Sequence, residues 1–197
     1  MSRYDGSDTY VYPDTEVLRN KADIHDQAGL DAFEADATAV RMLELIESPI
    51  TGVFDLRYLC AIHRYLFQDV YDWAGEVRTV DISRGASRFA SFGLIEGYLA
   101  GQLQGLATEG FLRGCKPEVF VVRLAHYMGE INAAHPFREG NGRVQRLFCT
   151  LLADQAGYFI DFATIDQSKM YEVMIDSFNG NNAPLVDLLS VITAIVE

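Results

Sequence analysis

His135-Pro136-Phe137-Arg138-Glu139-Gly140-Asn141-Gly142-Arg143-Val144-Gln145-Arg146 interrupts one helical pattern and starts another. Upstream, Pro117 and Glu118 suit the first turn of a helix, and Val121, Leu124, Met128 and Ile131 carry its apolar stripe on to His135. Pro136 ends that helix, because proline has no amide hydrogen and pushes the residue before it out of the α region. Gly140 and Gly142 let the backbone fold tightly. From about Gly142 a second stripe runs through Val144, Leu147, Phe148, Leu151 and Leu152. The expected product is a helix–loop–helix whose loop delivers backbone amides to a helix start, which is an anion-binding arrangement.

The side chains in this stretch match that backbone. Arg143 and Arg146 lie three apart, off the apolar stripe, and two forked guanidiniums can grip phosphate oxygens. Glu139 offers the hard oxygen that a phosphate-bound Mg²⁺ prefers. His135 is the group able to take a proton near neutral pH. Singly, each has a plainer reading: His135 as a helix cap, the glycines as a turn, the arginines as a solvated face, Glu139 as a carboxylate near a positive helix end. All of them in workable order within twelve positions favour a phosphate-handling site.

The remaining composition sets bounds. A chain of 197 residues, 49% hydrophobic and 22% charged, fits one folded domain. A formal charge of −12 excludes broad contact with nucleic acid but not one nucleotide in a locally basic pocket. Cys60, Cys115 and Cys149 are far apart and odd in number, so neither a disulfide framework nor a zinc site is expected. The polar stretch Met1–Asp8 lacks the apolar core of a signal peptide, and Leu185–Val196 is too short to span a membrane and reads as a terminal core helix. A reducing cytoplasm, with no membrane partner, is the expected setting; delivery into another cell stays open.

Helical periodicity dominates elsewhere. Stripes run through Leu30, Phe33, Ala37, Val40 and Leu43; Leu56, Leu59, His63, Leu66 and Phe67; and Ile95, Leu99, Leu103 and Leu106. Asp166 is a candidate N-cap for a helix carrying Met170, Val173 and Met174, and Leu185, Leu188, Leu189, Ile192 and Val196 form the last stripe. One stretch alternates instead: Val77–Ile82 reads as a strand, Ser83–Ser87 as a turn and Arg88–Ala90 as a return strand. Such a lone hairpin must lie against something and keeps an edge available. The expectation is a mainly α single domain, 1–197, with an N-terminal segment 1–29, a core 30–197, a hairpin flap at about 77–90 and the motif loop 135–146.

The stretch His135–Arg146 resembles the signature of the Fic family, HPFx(D/E)GNGRxxR, with every defining position filled. A second stretch, Ile62-His63, Leu66-Phe67, Asp69-Val70-Tyr71, Trp73-Ala74-Gly75 and Arg78, is also similar to the family, and the hairpin falls where the family has its flap. The resemblance implies a Fic-like helical bundle that transfers AMP from ATP to a hydroxyl side chain (Tyr, Thr or Ser) of a target protein, releasing pyrophosphate. It implies His135 as the base, Glu139 as the Mg²⁺ ligand, and Asn141 with the Gly140 and Gly142 amides as the anion hole. Arg143 and Arg146 would hold the β- and γ-phosphates. Ile82, Ser83 and Phe89 would belong to a flap that pairs with the target by β-augmentation. Asn181 is assigned to the adenine ring, with an equal claim as a turn residue.

Regulation is read the same way. Many Fic proteins carry an inhibitory (S/T)xxxE(G/N) helix; here Ser168-Lys169-Met170-Tyr171-Glu172 is followed by Val173. The chain therefore resembles the bacterial toxins restrained in trans by a small antitoxin, whose glutamate would meet Arg146 and whose implied targets are type II topoisomerases. Phosphate transfer, as in Doc-type relatives, would need a lysine where Gly142 stands. Transfer of another phosphate-containing group and a silent protein-binding module remain the alternatives.

Overall fold

Seven α-helices make up most of the described residues, 8–84 and 87–196, of the computed structural model. They are α1 (Gln27–Glu47), α2 (Leu56–Phe67), α3 (Ile95–Thr108), α4 (Pro117–Ala134), α5 (Asn141–Ala156), α6 (Gln167–Phe178) and α7 (Ala183–Ile192). Local chemistry places their starts. Asp26, Asp55 and Asp166 each accept an N–H from the first turn of α1, α2 and α6, at 2.7, 2.9 and 2.9 Å. Pro117 sits at the start of α4, where its missing amide costs nothing. The mainly α fold with one small hairpin is as expected.

α4 and α5 form the centre. α4 packs against α3, α5, α6 and α7, and α5 packs against α2 and α4. Val144, Leu147, Phe148, Cys149, Leu151, Leu152 and Ala153 bury α5 on most of its circumference, as a helix enclosed by others requires. One apolar cluster continues from Tyr10 to Ile192.

Three expectations are corrected. On α1 the buried residues are Leu30, Glu34, Thr38 and Leu45, while Val40 and Leu43 are 58% and 64% exposed. Hydropathy places Glu34 and Thr38 in water, but their hydrogen-bond partners lie inside the fold. The last helix stops at Ile192; Thr193–Ile195 is a strand (β4) paired antiparallel with β3 (Tyr158–Ile160), and Val196 is exposed. The β-branched run Ile192, Thr193, Ile195 and Val196 favours that extended backbone.

The hairpin is shorter and shifted: β1 (Ser83–Arg84) pairs with β2 (Ser87–Arg88), and of these only Arg88 lies in a stretch expected to be strand, the others falling in the expected turn. Gly85 and Ala86 of that turn, and Met1–Ser7 of the polar leader, lie outside the described residues. Val77–Ile82 is not a strand, because Arg78 fastens it elsewhere. This fully buried arginine donates to the carbonyls of His135 (2.8 Å), Val80 (2.6 Å), Ala134 (3.2 Å) and Ala90, and its own N–H reaches Pro136 O (2.8 Å). A guanidinium at the negative end of α4 satisfies carbonyls the helix leaves orphaned. It also ties both arms of the flap to the start of the motif loop.

Candidate active site

The loop between α4 and α5 is held shut by its own residues. His135 takes the C-cap position of α4 in the left-handed region (φ 46°, ψ 64°), so Pro136 has moved it out of the right-handed α region as expected. The Asn141 side chain accepts the Phe137 N–H at 2.8 Å and donates to the Phe137 carbonyl at 2.7 Å. The side chain thus shapes the loop, and its backbone amide is what it leaves for an anion. Gly140 (φ 80°) is the N-cap of α5, and no side chain caps the helix there. The orphan amides of this first turn are therefore open to an anion.

His63 supports the loop from α2. It is fully buried, stacked on Phe137 (4.0 Å between centroids) and Phe67 (4.7 Å). Nδ1 accepts the Gly75 N–H at 2.7 Å, so Nε2 carries the proton it donates to the Glu139 carbonyl at 3.1 Å. Arg138 is likewise buried and paired with Asp8, with Nε 2.8 Å from the carboxylate.

In front of the loop lies a cavity of about 780 Å³. His135, Glu139, Gly140, Asn141, Gly142, Arg143 and Arg146 all line it, so seven of the expected site residues converge. Met128, Met170, Tyr171, Met174 and Phe178 give it an apolar wall, with α6 supplying most of it. A cationic end and an apolar wall suit a ligand with phosphates at one end and a flat ring at the other. Asn181 is not there. Exposed, it accepts the Ala183 N–H at 3.3 Å and serves as the turn residue into α7, the other reading of that position.

The flap closes the opposite side. Phe89 stacks on the His135 ring (3.8 Å, 13°), and the Arg84 guanidinium lies 4.8 Å from the centre of the Tyr171 ring. Ile82, Ser83 and Phe89 share with His135 and Glu139 a second recess of about 80 Å³. His135 thus borders both spaces.

The charges are divided unequally. Arg143 pairs with Glu34 of α1, donates to Thr38 Oγ1 at 3.2 Å and lies over the Phe67 ring. The Arg146 guanidinium makes no hydrogen bond or ion pair among the described residues, and burial beside Arg143 lowers its pKa. The Glu139 carboxylate accepts the Gly140 N–H at 2.9 Å and sits 3.8 Å from Arg143. No group of three or more His, Cys, Asp or Glu able to hold a metal occurs among the described residues. One carboxylate facing a phosphate site still fits Mg²⁺, which takes few protein ligands when phosphates and water complete its shell. His135 Nδ1 faces the Asn132 carbonyl at 3.3 Å, which makes Nδ1 the protonated nitrogen and leaves Nε2 as the basic one.

Burial pushes both His63 and His135 down to about 3, with Arg143 adding to the first and Arg78 and Arg84 to the second. In the unfolded chain they titrate near 6.5. Below that pH the unfolded state binds protons the folded state refuses, so stability falls as pH drops from about 6.5 toward 3. Each imidazole contributes a slope of about 1.4 kcal/mol per pH unit inside the window. Chemical denaturation at pH 6.5 and 5.0, above the range where depressed carboxylates act, should show this loss; equal stability at the two pH values counts against both neutral imidazoles.

Sequence reasoning missed Glu34, Thr38 and Tyr71, whose hydroxyl donates to Glu34, and it missed the contribution of α6. A signal existed on α1: Leu30, Glu34 and Thr38 are four apart and share a face.

The sequence profile of the Fic/DOC family matches residues 53–153. The chain is 44% identical over 191 residues to the protein adenylyltransferase VbhT of Bartonella schoenbuchensis, covering 96% of this chain and 39% of that protein. It is 45% identical over 161 residues to the probable protein adenylyltransferase Fic of Salmonella typhimurium, covering 82% and 80%. Among solved structures it superposes on BepC, a VirB-translocated effector of Bartonella tribocorum with bound AMPPNP (TM-score 0.89, 28% identity, 95% and 97% covered). It superposes equally on the ADP-bound N-terminal Fic domain of a Bartonella quintana effector (TM-score 0.89, 31% identity, 95% of each chain covered).

Proposed function

This chain belongs to the Fic/DOC family, and from that premise we propose that it is a protein adenylyltransferase, moving AMP from ATP to a Tyr, Thr or Ser hydroxyl of a target protein. The observation that carries the reading is Arg146: a half-buried guanidinium without a counter-charge among the described residues, lining the cavity beside the uncapped start of α5. A partly desolvated cation with no partner calls for an anion from outside.

In this reading the triphosphate lies against the amides of α5's first turn, with Arg143 and Arg146 on the β- and γ-phosphates. Glu139 would hold Mg²⁺, which when bound draws charge off the phosphate oxygens. The target segment pairs with the flap, and its hydroxyl reaches His135 through the recess beside Ile82 and Ser83. Nε2 takes the hydroxyl proton as the oxygen bonds to the α-phosphorus; the bond to the β-phosphate oxygen breaks, and pyrophosphate leaves. Phe89 moves off the imidazole to admit the hydroxyl, and a bound triphosphate raises the pKa that burial and two arginines depress. Gly142 supports AMP transfer over the Doc-type reaction: a Cβ there would meet Arg146 Nη1 at 3.3 Å, so a long side chain would crowd the phosphate site.

Restraint by a separate antitoxin belongs to the same proposal. Glu172, the nearest match to an inhibitory glutamate, pairs with Lys169 at 3.0 Å on the exposed side of α6 and does not line the cavity. Arg146 is then the contact for a glutamate supplied in trans, and a type II topoisomerase is the first target to try. No helix among the described residues is long and apolar enough to cross a membrane. A bacterial cytoplasm is the proposed place of action, with delivery into another cell the alternative that the VirB-translocated relatives suggest.

The test incubates the protein with Mg²⁺, a bacterial lysate and ATP labelled at either the α- or the γ-phosphate. A labelled protein band from α-labelled ATP alone is expected. Label from γ-labelled ATP alone would indicate phosphate transfer, and none from either, with antitoxin removed, would favour a silent binding module.

A further inference from the structure

The family profile begins at residue 53, yet the cavity's first arginine is held from α1, outside that span. Glu34 uses both carboxylate oxygens inward: one receives Arg143, the other the Tyr71 hydroxyl. Thr38, one helical turn on, also receives Arg143, and the guanidinium plane is backed by the Phe67 ring at 4.7 Å. Glu34 and Thr38 are only 9% and 2% exposed, in a helix whose outer apolar residues face water. Burying a carboxylate while leaving Val40 and Leu43 outside runs against hydropathy, and the gain that offsets it is a paired, hydrogen-bonded guanidinium.

Resting on the reading above, we infer that Glu34 is a positioning residue for nucleotide binding, fixing Arg143 in one rotamer with part of its fork presented to the phosphates. A free arginine loses much rotamer freedom when it grips a ligand, and one already held by Glu34, Thr38 and Phe67 has lost it beforehand. The two arginines then divide the work. Arg146 contributes uncompensated charge, and Arg143 contributes preset geometry. The functional unit therefore includes α1, ahead of residue 53.

The full chain tests this with Mg²⁺-ATP binding by calorimetry and AMP-transfer kinetics for wild type, Glu34→Gln, Arg143→Ala and the double variant. Glu34→Gln should weaken ATP binding about tenfold and raise KM similarly, with kcat within about threefold, because uniform binding is what is lost. In the Arg143→Ala background Glu34→Gln should add nothing, the result of two residues acting as one unit. Tyr71→Phe, which keeps the carboxylate but frees one of its oxygens, should give a smaller loss in the same direction and serves if Glu34→Gln does not fold. Unchanged or tighter ATP binding in Glu34→Gln overturns the inference, as does a full penalty persisting without Arg143. A wild-type protein that binds no ATP sinks the functional reading itself, and this inference with it.

Discussion

His135→Ala is expected to lower AMP transfer by about 10²-fold or more, the usual contribution of a placed general base, while ATP affinity stays near the wild-type value. The separation follows from geometry. His135 borders both the cavity and the flap recess, whereas Arg143 and Arg146, the proposed phosphate grips, lie in the first and second turns of the next helix. The left-handed backbone at 135 does not confound the experiment, since histidine and alanine both carry a Cβ and meet the same steric cost. Calorimetric titration of ATP alongside the transfer assay decides it. Loss of affinity comparable to the loss of turnover would remove His135 from the role of base.

Gly140→Ala is expected to destabilise the fold by about 3 kcal/mol, combining an overpacked core with a left-handed alanine, and to remove activity with it. The residue sits at φ 80°, and an added methyl would overlap the Phe67 ring. Phe67 cannot retreat, because it is fully buried, stacked by His63 and covered by Arg143. Any shift of that ring therefore disturbs the His63 bond to Glu139 and the seat of Arg143 together. Denaturant midpoints for the two proteins test this; a change below about 0.5 kcal/mol, within the range of ordinary surface substitutions, would mean the loop is looser than its contacts indicate.

Much of the site was legible because its parts are contiguous. The proline, two glycines and resumed stripe between His135 and Leu152 specify a helix, a tight loop and a second helix from local rules alone, and the side chains of that loop inevitably share one place. Asn141 shows the limit of that reasoning. It lines the cavity beside the start of α5, but the hydrogen bonds to Phe137 that occupy its side chain appear only once the loop is closed. Asn181 lies away from the cavity lining for a related reason: a turn residue thirty-five positions after the motif has no local signal saying which way its turn faces.

By itself the sequence determined the helical bundle, the helix starts set by Asp166 and Pro117, and the tight loop between two helices at His135–Arg146, because capping, periodicity and loop chemistry act within a few residues of one another. Only the tertiary structure decided which polar residues of α1 turn inward, where the flap's strands begin, and what surrounds each arginine. Those outcomes depend on pairs separated by long stretches of chain: Glu34 with Arg143, Arg78 with the end of α4, and His63 with Glu139. A buried charge is stable only beside its partner, and no local pattern records a partner a hundred residues away.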